Sequence, residues 1–119
     1  MIAFDILEYE CPEGWTKLVN DLCAELALKL EELGLLNDYV VLQAKEKFGE
    51  LRWYDNGGTD ETDEIIRKYV EFSRFTCCEC GEPAEYITTG YISPYCEKCI
   101  DNIDDTATSI DEYYKCWEE

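Results

Sequence analysis

Eight cysteines and no histidine among 119 residues set the chemistry open to this chain. Four of the cysteines form two pairs, Cys77-Cys78-Glu79-Cys80 and Cys96-Glu97-Lys98-Cys99, separated by residues 81–95. Two Cys-x-x-Cys pairs at this spacing suit a tetrahedral metal, because each pair grips one edge of the tetrahedron and the chain between them closes it. The expected ion is Zn2+ held by Cys77, Cys80, Cys96 and Cys99. Sulfur then fills all four positions and leaves none for a reacting water, so the ion is expected to be structural. Gly81, directly after the first pair, fits the tight turn of a zinc knuckle. Cys78 offers a rival grip, Cys78-x-Cys80, but two intervening residues are the usual spacing and favour Cys77. Thiol–disulfide exchange is the competing use of Cys-x-x-Cys. It needs a thioredoxin-like βαβ setting that is not found here. Cys11, Cys23 and Cys116 have no partner spacing, and Cys23 lies where a small core hydrophobe would.

Without histidine there is no Ser-His-Asp triad, no Cys-His pair and no His-ligated catalytic zinc, so no catalytic residue and no enzyme is expected. No apolar stretch approaches the roughly 20 residues of a membrane span, and no signal peptide is read at the start. A cytoplasmic setting with reduced thiols is the expectation.

The elements that must position the cysteines follow from periodicity. Residues 2–7 alternate as a short strand. Trp15, Leu18, Val19, Leu22, Leu26, Leu30 and Leu33 recur at helical steps, with Pro12 and Gly14 before them, Gly34 after them and Glu25–Lys29 as an i,i+4 pair. Residues 39–47 and 50–54 read as two antiparallel strands parted by Phe48-Gly49. Thr59 to Asp63 offers a helix N-cap, and the helix should run to about Phe75 with Ile65, Ile66, Tyr69, Val70 and Phe72 inward. Residues 86–89 and 91–93 form a hairpin between the cysteine pairs. Ile100, Ile103, Ala107, Ile110, Tyr114 and Trp117 then predict one helix from Cys96 to Trp117, with Cys96 and Cys99 in its first turn, packed on its own domain in a monomer. The fold class is α+β, a small antiparallel sheet or hairpin packed by helices. An α+β core (1–75) is followed by a zinc-binding segment (76–119) as one compact unit. Knuckle, hairpin and helix N-terminus together resemble a treble-clef zinc finger.

The charge is lopsided. Ten Lys and Arg against 28 Asp and Glu give −18. Such a chain repels nucleic acid and anionic membranes, and its natural partner is a basic protein surface. On the predicted last helix Asp101, Asp104, Asp105, Asp111 and Glu112 would form an outward row of carboxylates, the first candidate for that contact. Lys45, Lys47 and Arg52 run against the trend, either paired with the protein's own acids or holding an anion. Trp53, Tyr54, Tyr86, Tyr91 and Tyr95 are read as packing residues, since the charge argues against base stacking.

Lys45-Glu46-Lys47-Phe48-Gly49-Glu50-Leu51-Arg52-Trp53-Tyr54, preceded by Gly14-Trp15 and followed by Ser73-Arg74-Phe75-Thr76-Cys77-Cys78-Glu79-Cys80-Gly81, resembles a family of small phage and prophage zinc-knuckle proteins. The likeness spans roughly residues 14–99. With phage origin, small size and acidity, it implies an anti-CRISPR protein that impedes a type II RNA-guided nuclease from engaging target DNA. The alternative is an adaptor or structural zinc module of replication or transcription machinery.

Overall fold

The computed structural model describes residues 3–115. The expectations for Ile2, Cys116 and Trp117 lie outside them. The fold is α+β, as the sequence implies, with two small sheets and four α-helices among the described residues.

The centre of the first sheet is β3 (Val40–Lys47), which pairs antiparallel with β4 (Glu50–Asn56) as the expected hairpin, with a bulge between Val41 and Gln43. The turn is Phe48-Gly49, with φ of 55° and 77°. Two successive positive φ values match the right-handed twist of the flanking strands, which is why short hairpins use them. The start of the chain departs from expectation. In place of one strand over 2–7 there are two two-residue strands, β1 (Asp5–Ile6) and β2 (Tyr9–Glu10), both parallel to β3. Their registers, Asp5 with Val40 and Tyr9 with Ala44, place them in succession along the strand, so the sheet is mixed.

Two helices cover one side of this sheet. A turn of 3-10 helix at Glu13–Trp15 leads into α1 (Thr16–Glu32), and α2 (Asp60–Arg74) lies against both α1 and β4. Leu18, Val19, Leu22, Leu26 and Leu30 of α1 are buried against Val41, Ala44 and Leu51 of the sheet and Tyr69 of α2. Burying each such side chain contributes about 1.5–3 kcal/mol. The N-terminus of α2 is closed by a capping box in which Thr59 Oγ1 accepts from the Thr62 amide and Thr62 Oγ1 accepts from the Thr59 amide. Two local expectations are corrected. Glu25 and Lys29 do not pair with each other: Lys68 of α2 takes Glu25 at 2.7 Å, and Lys29 is shared between Glu32 of its own helix at 3.3 Å and Glu61 of α2 at 3.4 Å. Phe72, read as part of the inward stripe, is 51% exposed.

The second sheet carries the cysteine segment. Its central strand β5 (Tyr86–Thr88) is flanked by β6 (Pro94–Tyr95) and by β7 (Ala107–Ser109), both antiparallel. The single helix predicted from Cys96 to Trp117 is therefore replaced by one helical turn, α3 (Glu97–Ile100), a loop, β7 and the short α4 (Ile110–Lys115). Local chemistry explains the break. Asp105 turns its carboxylate onto the amides of Thr106 and Tyr91, competing with a helical backbone, and Thr106-Ala107-Thr108-Ser109 then finds an open strand edge. The three-residue spacing of Ala107 and Ile110 is real, but it reflects a strand-to-helix junction whose Ile110 packs on Ala84 and Ile87 in a second, smaller core.

Candidate metal centre

The sulfurs of Cys77, Cys80, Cys96 and Cys99 lie within 4.8 Å of one another, and Cys80 Sγ is 3.5 Å from Cys96 Sγ. A tetrahedral ion with metal–sulfur bonds of about 2.3 Å needs sulfur–sulfur edges of about 3.8 Å, so the four thiols fit a metal ion with only small adjustments.

Each ligand is placed by a short backbone device. Cys77 and Cys80 bracket a tight turn in which the Gly81 amide donates to the Cys77 carbonyl at 3.0 Å, and the Cys77 amide donates back to Glu82 at 2.8 Å. Gly81 has φ 86°, as the knuckle expectation requires. Across the gap, Cys96 caps α3: its sulfur accepts from the Cys99 amide at 3.4 Å. That backbone N–H, helped by the neighbouring Cys80 and Cys99 thiols, lowers the Cys96 thiol to about 7, while the Cys99 thiol, beside the Cys96 sulfur, is pushed up. The hairpin that separates the pairs is tied by Thr88, whose hydroxyl donates to the Tyr91 carbonyl and accepts from the Ser93 amide. The amide of Cys78 donates to Pro94 at 3.0 Å, which locks the knuckle to β6.

Cys78 stands outside the cluster. It is buried beside Tyr95, and burial pushes its thiol up to about 11. The choice of Cys77 over Cys78 thus agrees with the geometry. Cys23 is a core residue, raised to about 11 by burial, and Cys11 sits next to Tyr9, raised to about 12 for the same reason.

One contact escaped the sequence reading. The knuckle is joined to the start of α1: the Gly14 amide donates to the Cys78 carbonyl at 2.9 Å, and Trp15 Nε1 donates to the Thr76 carbonyl at 3.0 Å. A Cβ on Gly14 would lie 2.2 Å from the Cys77 carbonyl oxygen, so only glycine permits this approach. The helical pattern uses Gly14 and Trp15 only to open α1 and gives no pointer from them to the knuckle.

The acidic residues fare differently. Asp101 and Asp104 are exposed in the loop after α3, and Asp111 and Glu112 are exposed on α4, so these carboxylates come from separate elements and form no single helical row. Asp105 is used internally, on the amides of Tyr91 and Thr106. Of the basic block, Lys45 faces Arg52 across the hairpin, and Arg52 reaches Glu50 at 3.8 Å. Lys45 and Lys47 make no ion pair among the described residues. No helix among the described residues is long and apolar enough to cross a membrane. Comparison of the chain with protein-family models, curated proteins and solved structures gives no match.

Proposed function

We propose that this chain is a non-catalytic, zinc-stabilised acidic protein that binds a basic surface on a partner protein. The observation that supports this most is the convergence of four cysteine sulfurs and no other ligand type on one point. An all-thiol set suits zinc among the common divalent ions, and a ligand set complete without water suits a structural role. Cys77, Cys80, Cys96 and Cys99 would hold the ion. When bound, it supplies a cross-link between the knuckle and the β6–α3 junction, in a segment whose own core, among the described residues, is built on the buried Ala84, Ile87 and Ile110. In small zinc peptides such a cross-link is worth about 10–16 kcal/mol of folding energy at neutral pH.

The charge of −18 supports the partner class. Four thiolates and one Zn2+ make the loaded protein more negative still. The resemblance to small phage and prophage proteins gives that partner its sharpest form, an RNA-guided nuclease whose guide and target strands run through channels lined with Lys and Arg. A dense carboxylate surface competes with nucleic acid for such a channel.

Two measurements test the two halves. Native mass spectrometry should find one zinc per chain, and its absence would refute the metal assignment. Adding the loaded protein to type II RNA-guided nucleases should inhibit target cleavage, less so as salt rises. Cleavage that proceeds undisturbed at saturating protein would remove the partner assignment and leave the zinc.

A further inference from the structure

Phe48 is energetically out of place. It occupies the left-handed region at φ 55°, where Gly, Asn and Asp are the residues that sit without strain, and a bulky side chain there is an outlier. Burial does not offset this, because the side chain is 57% exposed. The hairpin turn requires the positive φ but not a phenyl side chain, so an exposed ring held there points to contact with something else.

A second ring stands beside it. Tyr91, at 73%, is the most exposed large apolar side chain among the described residues, yet it is firmly held. Asp105 accepts from its amide at 2.9 Å, and its hydroxyl donates to Glu46 Oε1 at 3.3 Å. The other oxygen of Glu46 accepts from the Gly49 amide at 2.8 Å. One carboxylate therefore braces the Phe48-Gly49 turn and the Tyr91 loop against each other. Aromatic rings fixed in this way make contacts at low entropic cost.

Between and beside the rings lie two hollows that share Glu46 and Tyr91 as a common wall. One, of about 250 Å3, is bounded by Lys47, Phe48, Gly90 and Ile92. The other, of about 290 Å3, runs past Glu10, Pro12, Cys78 and Tyr95. Neither Glu10 nor Glu46 has an ion-pair partner among the described residues. The Lys47 ammonium lies 5.6 Å over the Phe48 ring, so the ring already engages a cation, and a partner's guanidinium would displace Lys47 or take the opposite face.

We propose that this cleft, walled by the β3–β4 turn and the loop before β6, is the docking site for an extended, arginine-bearing segment of a partner protein, with guanidinium groups stacked on Phe48 and Tyr91 and paired with Glu46 and Glu10. Charge complementarity selects a basic occupant. The flat, weakly hydrated guanidinium suits stacking plus carboxylate pairing better than an ammonium does. This inference rests on the acidic-binder reading and gives it a location distinct from the scattered acids of residues 101–112.

The test uses the full zinc-loaded chain and a fluorescent Gly-Arg repeat peptide at about 150 mM salt, where long-range attraction is screened within about 8 Å. Two variants leave the net charge untouched. Phe48→Asn relieves the left-handed strain, so its melting temperature should hold or rise, and Tyr91→Ala removes the second ring. Each should weaken peptide binding roughly fivefold or more. The double variant Asp101→Asn, Asp104→Asn, which removes two charges elsewhere, should weaken it less than either. A marked fall in melting temperature for Phe48→Asn would make Phe48 structural and overturn the proposal. Unchanged binding by both aromatic variants would overturn it too; if the Asp variants then lost affinity, the acidic-binder reading would survive without the cleft. A preference for single-stranded oligonucleotide over the Gly-Arg peptide would sink both readings.

Discussion

At the residue scale, the four-sulfur cluster separates two neighbouring cysteines that a pattern alone leaves in competition. Cys77 contributes its sulfur, and Cys78 contributes its backbone, accepting from Gly14 and donating to Pro94 while its thiol is buried by Tyr95. Native mass spectrometry should therefore show zinc retained by Cys78→Ser and lost or much weakened in Cys77→Ser. The opposite result would reassign the ligand. Gly14 is the second sensitive point. In Gly14→Ala the added Cβ meets the Cys77 carbonyl oxygen and the Cys78 backbone, with no flexible side chain to give way. Overpacking of this kind costs about 1–3 kcal/mol, and here it also displaces the hydrogen bond that fastens the knuckle, so an unfolding free energy lowered by at least that amount in denaturant titration is expected. A neutral Gly14→Ala would show that the junction is loose in solution.

At the element scale, helix α2 is fastened at both ends by interactions that can be tested apart. Thr59→Ala removes the cap and should cost about 1 kcal/mol in chemical unfolding. Along the helix, Lys68 donates to both oxygens of Glu25 on α1, and Tyr69 donates to the same carboxylate. These donors lower the Glu25 carboxyl below its usual range, the Lys68 contact contributing most. A carboxyl depressed in the folded state binds protons more readily when unfolded. Its contribution is therefore present above the unfolded value of about 4.3 and is lost as pH falls through the folded one. The melting temperature of Lys68→Met should lie below that of the parent at pH 7, with the gap closing below about pH 4. A gap that persists at low pH would point to packing of the Lys68 stem instead. These elements also show what a sequence discloses. The 3.6-residue repeat of α1, the cap at Thr59 and the Phe48-Gly49 hairpin are local signals, and each is found where the pattern puts it. The cysteine cluster was legible because ligand spacing is itself a local signal. The segment after Cys99 was misread because apolar steps of three and four residues are equally produced by a strand that turns into a helix, and only the open edge of β5 decides between them. The joining of Gly14 to Cys78, and the parallel pairing of residues 5–10 with β3, depend on chain segments far apart and leave no periodic trace.

At the scale of the whole molecule, two cores sit side by side rather than one inside the other. The radius of gyration is 15.3 Å, above the roughly 13.5 Å of a compact chain of this length, and the extents are 46 × 32 × 19 Å. The smaller core belongs to the segment that carries the cysteine cluster, the larger lies outside it, and Trp15 spans the seam with its indole N–H on the Thr76 carbonyl. Chelation should then unfold the cysteine segment while leaving α1, α2 and the β3–β4 hairpin in place. Far-UV dichroism would fall only in part, and amide exchange would accelerate from about residue 76 onward while the larger core stays protected. Cooperative loss of all secondary structure on chelation would show instead that the larger core cannot stand without the smaller. The placement of β1 and β2 along β3, and of α1 beneath α2, has a consequence for how the chain is made. The amino-terminal third emerges from the ribosome first, but β1, β2 and α1 bury their apolar residues only against segments that end at residue 74. At about 5–20 residues per second, the leucine face of α1 waits several seconds for its partners, and during that interval it is a target for chaperones.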